Sequence, residues 1–150
     1  PRRSIYFEHH GEGLMQFLDV FDAADPCDAY RRTTSVRPQQ ALAMANSELS
    51  LREGRVLARR LNERLSNEDT MAFINAAFIE VLCRLPSRDE VQASRAFIDK
   101  QRLLFAEAGE QERAIVPEDW PVPSSTQPYA RARASFVQAL FNHHDFVTIR

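Results

Sequence analysis

The sequence predicts an all-α fold: an irregular helical bundle of four to five main helices, with an extended N-terminal segment and a long Pro-rich loop. Three observations point there. Glycine is scarce, 4 of 150 residues, which suits helices better than turn-rich β structure. Apolar residues recur at three- and four-residue steps along several stretches, the spacing of a single buried helix face. Helix boundaries are also written into the chain, most plainly where Pro86 precedes Ser87-Arg88-Asp89-Glu90, a capping-box pair of Ser with Glu three residues on.

Residues 1–37 read as an extended, turn-rich entry. Ser4-Ile5-Tyr6-Phe7 suits a short strand or a buried anchor, and Gly11 and Gly13 end it. Leu14 to Phe21 has apolar content for two helical turns, and Asp22 to Asp28, with Asp25-Pro26, has turn chemistry. Pro38 fits the first turn of a helix. From there to Leu65, Leu42, Ala45, Leu49, Leu57, Leu61 and Leu65 mark one buried face, and Asn46-Ser47 is a place for a break. Glu48 and Arg52 stand four apart with the acid first, the favourable order for a helix pair.

Ser66 to Asp69 offers caps and early acids for the next helix, whose inward side is read as Met71, Ile74, Ala77, Phe78, Val81 and Leu82. Pro86 stops it. The helix after Ser87 carries Val91, Ile98 and Phe105 at heptad spacing, flanked by Phe97 and Leu104, with Gly109 as its C-terminal cap. Main helices thus fill 38–108. The stretch 109–128 holds Pro117, Pro121, Pro123 and Pro128 and reads as a long loop that Trp120 tacks to the body. A C-terminal helix is expected within 129–150, with Ala134, Val137, Leu140 and Phe141 inward, running to about His143.

Length and charge bound the function. A chain of 150 residues is about one domain, large enough to hide roughly two-thirds of its unfolded surface. With 19 basic and 21 acidic residues the net charge is −2, so no global basic field recruits nucleic acid. No apolar run approaches the roughly 18–20 residues of a membrane span. Lys100 is the one lysine among the basic residues. That bias fits either an arginine recognition surface or a GC-rich genome, and the second reading is favoured. Cys27 and Cys83 permit one disulfide or two buried thiols. The opening Pro1-Arg2-Arg3-Ser4, without an initiating Met, suggests a piece of a longer polypeptide whose export signal would lie elsewhere.

Candidate chemistry is thin. Asp19, Asp22, Asp25 and Asp28 are spaced three apart around a turn, where carboxylates can hold calcium but more commonly cap backbone amides. The pairs His9-His10 and His143-His144 are weak metal candidates, since adjacent imidazoles point apart and each pair supplies one ligand more readily than two. Arg31-Arg32, in a loop before a helix, suits an anion or a carboxylate such as Asp22. Arg55, Arg59, Arg60 and Arg64 follow a helix face and read as solvated or salt-bridged surface. Neither a GxSxG nucleophile elbow nor a Gly-rich phosphate loop occurs.

Several phrases, in order, resemble a planctomycete family. They are Arg2-Arg3-Ser4-Ile5-Tyr6, Phe21-Asp22-Ala23-Ala24-Asp25, Arg32-Thr33-Thr34, Pro38-Gln39-Gln40-Ala41-Leu42 with Asn46, and Leu82-Cys83-Arg84-Leu85-Pro86-Ser87 with Glu90. The end, Ala139-Leu140-Phe141-Asn142 through Asp145-Phe146, completes the series. The family is a C-terminal domain of unknown function in large proteins that often also carry planctomycete-type cytochrome c domains. The chain departs from its pattern at Arg37 and Gln39, where Thr and Leu are usual around the proline, and at Cys83, where the family tends to have Gly. The resemblance implies an extracytoplasmic protein, at the periplasm or cell surface, with haem confined to other domains of the full-length molecule.

These readings lead to a non-catalytic structural or interaction module whose partner is the upstream part of the same polypeptide, or another protein. One rival is a share in the active site of a surface hydrolase or redox enzyme, with Asp22, Asp25 and Arg32 as the residues that carry it. The other is a metal-binding module using His9, His10, Asp19 and Asp22.

Overall fold

A computed structural model describes residues 20, 38–65, 69–108 and 125–147. Every regular element among them is helical, as the low glycine content and the periodicity predict. Two compact units divide the chain, 1–47 and 48–150.

In the first unit the described element is α1 (Pro38–Asn46). It begins at the proline that sequence placed in a first turn. At its other end the Asn46 amide donates to the Leu42 carbonyl at 3.1 Å, and the Ser47 N–H reaches Ala43 at 2.8 Å. Asn46-Ser47 therefore does break the long apolar pattern, and α2 (Glu48–Arg64) starts immediately after. The single face drawn through both helices is only half right. Leu61 is buried and Leu57 and Leu65 pack partly buried against the core, but Leu42 and Leu49 are exposed. The Glu48–Arg52 pair is not made either: Arg52 bonds its neighbour Glu53 at 3.0 Å.

The second unit is built around α5 (Pro128–Phe141), which packs most extensively on α2 and on α4 (Arg88–Glu107). The inward face of α2 is Ser50, Gly54, Ala58 and Leu61. Small residues at i, i+4 and i+8 let the α5 backbone come close, so that a Cβ placed on Gly54 would lie 3.7 Å from the Gln138 Cβ and the Phe141 ring. The helix α3 (Thr70–Leu82) opens on Asp69, whose carboxylate accepts from the Ala72 N–H at 2.8 Å. That bond satisfies one of the four orphan donors of a helix start. Its buried residues are Phe73, Ile74, Ala77, Phe78 and Val81, whereas Met71, read as inward, is exposed.

The capping box of α4 is complete: the Glu90 N–H donates to Ser87 Oγ, and Glu90 Oε2 accepts from the Ser87 N–H at 2.7 Å. Ile98 is buried, while Phe97 and Phe105 pack partly buried against the core and Leu104 faces solvent. The helix ends on Ala108, and Gly109, Trp120 and the prolines from Pro117 to Pro123 lie outside the described residues. Pro128 is not loop but the start of α5. The C-terminal helix is two: α5 ends at Phe141, and after Asn142-His143 the short α6 (His144–Val147) packs on α3 and α5.

The core centres on Phe136. Its ring lies 6.3–6.4 Å from those of Phe73, Phe78 and Phe97, contributed by α3 and α4. Tilted pairs at this separation add about 0.5–1.5 kcal/mol each beyond the area they bury. With Leu61, Ile74, Ile98, Val137 and Leu140 they form one continuous apolar centre.

Candidate functional site

Among the described residues, the strongest convergence of charge lies where the α3–α4 turn meets α6. Arg84, two residues past the end of α3, holds Glu90 with both prongs of its guanidinium, Nη2 to Oε1 at 2.6 Å and Nη1 to Oε2 at 2.9 Å. Its Nε donates to Asp145 Oδ2 at 2.9 Å, and Nη1 also reaches the Leu85 carbonyl. A planar fork with five donors is what makes such a three-way tie feasible, and a lysine could not copy it. The guanidinium also sits over the Phe78 ring, 5.5 Å from its centroid.

The turn that presents Arg84 is sharp because Cys83 adopts a left-handed conformation, φ 55°, the sole positive φ on a non-glycine among the described residues. In that conformation its N–H closes α3 on the Ile79 carbonyl at 3.1 Å, the usual αL ending of a helix. Cys83 is a free, exposed thiol.

The electrostatics follow from the geometry. The Arg84 hydrogen bonds hold Glu90 down at about 2, and the Ser87 amide and hydroxyl contacts add to the effect against the opposing pull of burial. The Glu90 and Asp145 hydrogen bonds in turn raise the Arg84 pKa above its ordinary value. Beside them, His143 Nδ1 accepts the Asp145 N–H at 3.1 Å, and its Nε2 lies 3.6 Å from Glu90 Oε1.

A second polar centre is organised around a buried arginine. Arg133 of α5 is 0% exposed. It donates to Asn62 Oδ1 at 2.5 Å and to the Tyr129 hydroxyl at 2.6 Å, and its guanidinium stacks between the Phe73 and Tyr129 rings at 4.3 and 4.2 Å. The Tyr129 hydroxyl also meets Thr70 Oγ1 at 2.7 Å. Burial lowers the Arg133 pKa, with Tyr129 and Asp69 acting against that. The chain thus joins α2, α3 and α5 through one buried cation.

Of the sequence-derived candidates, His143 sits beside the Arg84–Glu90–Asp145 cluster and His144 opens α6; the others fall elsewhere. His9, His10, Asp19, Asp22, Asp25, Asp28, Arg31 and Arg32 lie outside the described residues, as does Cys27. Among the described residues no three His, Cys, Asp or Glu side chains group as a metal site would need. The arginine stripe of α2 is surface at Arg59, Arg60 and Arg64, with Arg64 bridged to Glu80 at 3.0 Å. Arg55 is half-buried, its pKa lowered by burial and by Arg131.

Comparison with known families is decisive at one level. Residues 1–98 match the model of the family described as PSD1, protein of unknown function (DUF1553). The chain belongs to that family. No curated protein and no solved structure matches it.

Within the DUF1553 family match lie both halves of the strongest tie, Arg84 and Glu90, while Asp145 lies beyond residue 98. The sequence places Glu90 in a capping box and Arg84 and Asp145 in family phrases, but does not bring the three together as an ion cluster. The capping-box glutamate was the available signal, because its side chain also had to face the turn holding Arg84. Arg133 was missed altogether. Its spacing from Phe136, Val137 and Leu140 places it on the buried stripe of α5, and that was the signal.

Proposed function

We propose that this DUF1553-family chain is a non-catalytic helical module that completes or docks onto a larger bacterial protein. One observation carries the reading: the charged groups that converge most closely are consumed in holding elements together. Glu90 is bonded by both Arg84 prongs and by its own cap, and a carboxyl held at about 2 is a poor proton acceptor near neutral pH, where a general base should titrate close to the working pH. Asp145, the neighbouring carboxylate, is tied to the same guanidinium. Such an arrangement resists reorganisation, which favours a scaffold over a reacting centre.

The resemblance of the ordered phrases extends the proposal. The parent protein is of the planctomycete type, exported to the periplasm or cell surface, and its haem, where present, belongs to cytochrome c domains outside this chain. No described helix is long and apolar enough to cross a membrane.

The test is co-expression of the chain with the polypeptide encoded directly upstream of it, followed by affinity capture and thermal unfolding. The module reading expects a stable pair with a raised Tm. Failure to associate, together with activity of the whole protein that is abolished by Asp22→Asn or Arg32→Ala at unchanged stability, would replace it with a shared active site.

A further inference from the structure

We propose that His143 is a proton-operated latch on the terminal helix: neutral, it caps α6 through Nδ1; protonated, it releases that backbone amide and becomes the second cation of the Arg84–Glu90–Asp145 cluster. The geometry is specific. His143 stands just before α6, and its Nδ1 takes the Asp145 N–H at 3.1 Å, the bond that a Ser or Asn makes from an N-cap to the second helical residue. A nitrogen can accept that bond only while it carries no proton, so this geometry requires the neutral Nε2–H tautomer.

The ring is also placed to gain when it charges. Nε2 lies 3.6 Å from Glu90 Oε1 of α4, and Nδ1 lies 3.8 Å from Asp145 Oδ2 of α6. Arg84, from the α3–α4 turn, is the cation already present, and His144 is the adjoining titratable side chain on α6. Glu90, held at about 2, stays anionic at every pH well above that value. With His143 neutral, Arg84 faces two carboxylates. A proton taken from solvent onto Nδ1 brings the four-residue group to two cations and two anions.

The two states hold α6 differently. In the neutral state the backbone of the helix is fixed, and Phe146 packs on Phe141 with ring centroids 5.3 Å apart. In the protonated state Asp145 is gripped by its side chain while its amide loses the His143 Nδ1 acceptor. A helix of four residues has few other backbone bonds, one being Phe146 N–H to the His143 carbonyl at 2.9 Å. Loss of the cap therefore loosens the last turn without disturbing the Arg84–Glu90 tie.

The experiment is an NMR titration of the whole chain labelled with nitrogen-15, reading the His143 tautomer and the hydrogen-exchange protection of the Asp145 amide above and below the imidazole transition. The neutral ring should carry its proton on Nε2, and protection at Asp145 should fall about three- to tenfold on protonation. In His143→Asn, whose amide oxygen caps without titrating, protection should stay constant over the same range. A neutral Nδ1–H ring, unchanged protection in the wild type, or an equal fall in the variant would each overturn the latch.

Discussion

Arg84 Nε donates to Asp145 Oδ2 at 2.9 Å across 61 residues of sequence, joining the turn after α3 to the helix that ends the described chain. The same guanidinium holds Glu90 in a two-pronged pair at 2.6 and 2.9 Å. A cation with two anions, partly withdrawn from water, is worth more than an exposed pair because its partners are also held by backbone bonds. The family match ends at residue 98, yet the residue that completes the tie lies past it, on an element packed against the matched part.

That tie makes stability depend on acid. Folded Glu90 gives up its proton at about 2, against an ordinary 4.5. As pH falls below 4.5 the unfolded chain takes up this proton before the folded one does. The contribution of Glu90 is therefore complete above about 4.5, declines between 4.5 and 2, and is gone below 2. Because the pair is partly solvated, about 1–2 kcal/mol is at stake rather than the full value of the shift. Urea unfolding at pH 7, 4 and 2.5 should show the gap between wild type and Glu90→Gln closing as the acid range is entered; a constant gap would mean that the charge on Glu90 does not matter.

Cys83→Gly should stabilise the chain. A side chain at φ 55° costs roughly 1–2 kcal/mol that glycine avoids, offset in part by glycine's extra freedom when unfolded. The net gain expected is about 0.5–1 kcal/mol, seen as a higher urea midpoint with an unchanged slope. A lower midpoint would show that the thiol makes a contact worth more than the strain.

Gly54→Ala should also stabilise, for a different reason. Glycine inside a helix costs about 0.8–1.0 kcal/mol relative to alanine, and the nearest atoms to an added Cβ are at 3.7 Å, ordinary van der Waals contact. Larger residues at 54 should reverse the sign by pushing α5 away from α2. If alanine already lowers the Tm, the two helices are closer in solution than the structure has them.

Arg133 should tolerate almost nothing. Arg133→Ala leaves a cavity between Phe73 and Tyr129 and removes the donors that Asn62 and Tyr129 accept, at an expected cost of about 3–5 kcal/mol. Arg133→Lys keeps the charge but not the plane that stacks and forks, so it should still lose at least about 1 kcal/mol. Wild-type stability in the lysine variant would mean that the charge alone, not its shape, organises this centre.

What the sequence made legible was local. The Ser87–Glu90 box, a cap within Ser66 to Asp69 (Asp69 in the structure) and the break at Asn46-Ser47 each need only residues within four positions of one another, and each stands in the structure. Phase errors account for the misread faces. Met71 was counted inward and Phe73 was not, because a helix as apolar as α3 has no polar side to fix its rotation. Long-range pairing was invisible: nothing near Arg84 announces Asp145, and nothing near Asn62 announces Arg133. Arg133 was hidden further by the habit of placing charge outside, which fails when aromatic faces and amide oxygens replace water. The Asp22, Asp25 and Arg32 candidates lie outside the described residues.

The central claim is that Arg84 and Asp145 lock the end of the chain to the family-matched core. A double-mutant cycle on urea unfolding tests it most directly, with Arg84→Met, Asp145→Asn and the double variant. Coupling of about 1 kcal/mol or more is predicted, the range seen for residues sharing one charged network. Additive effects within about 0.3 kcal/mol would contradict the account and leave the two residues as neighbours without mutual dependence.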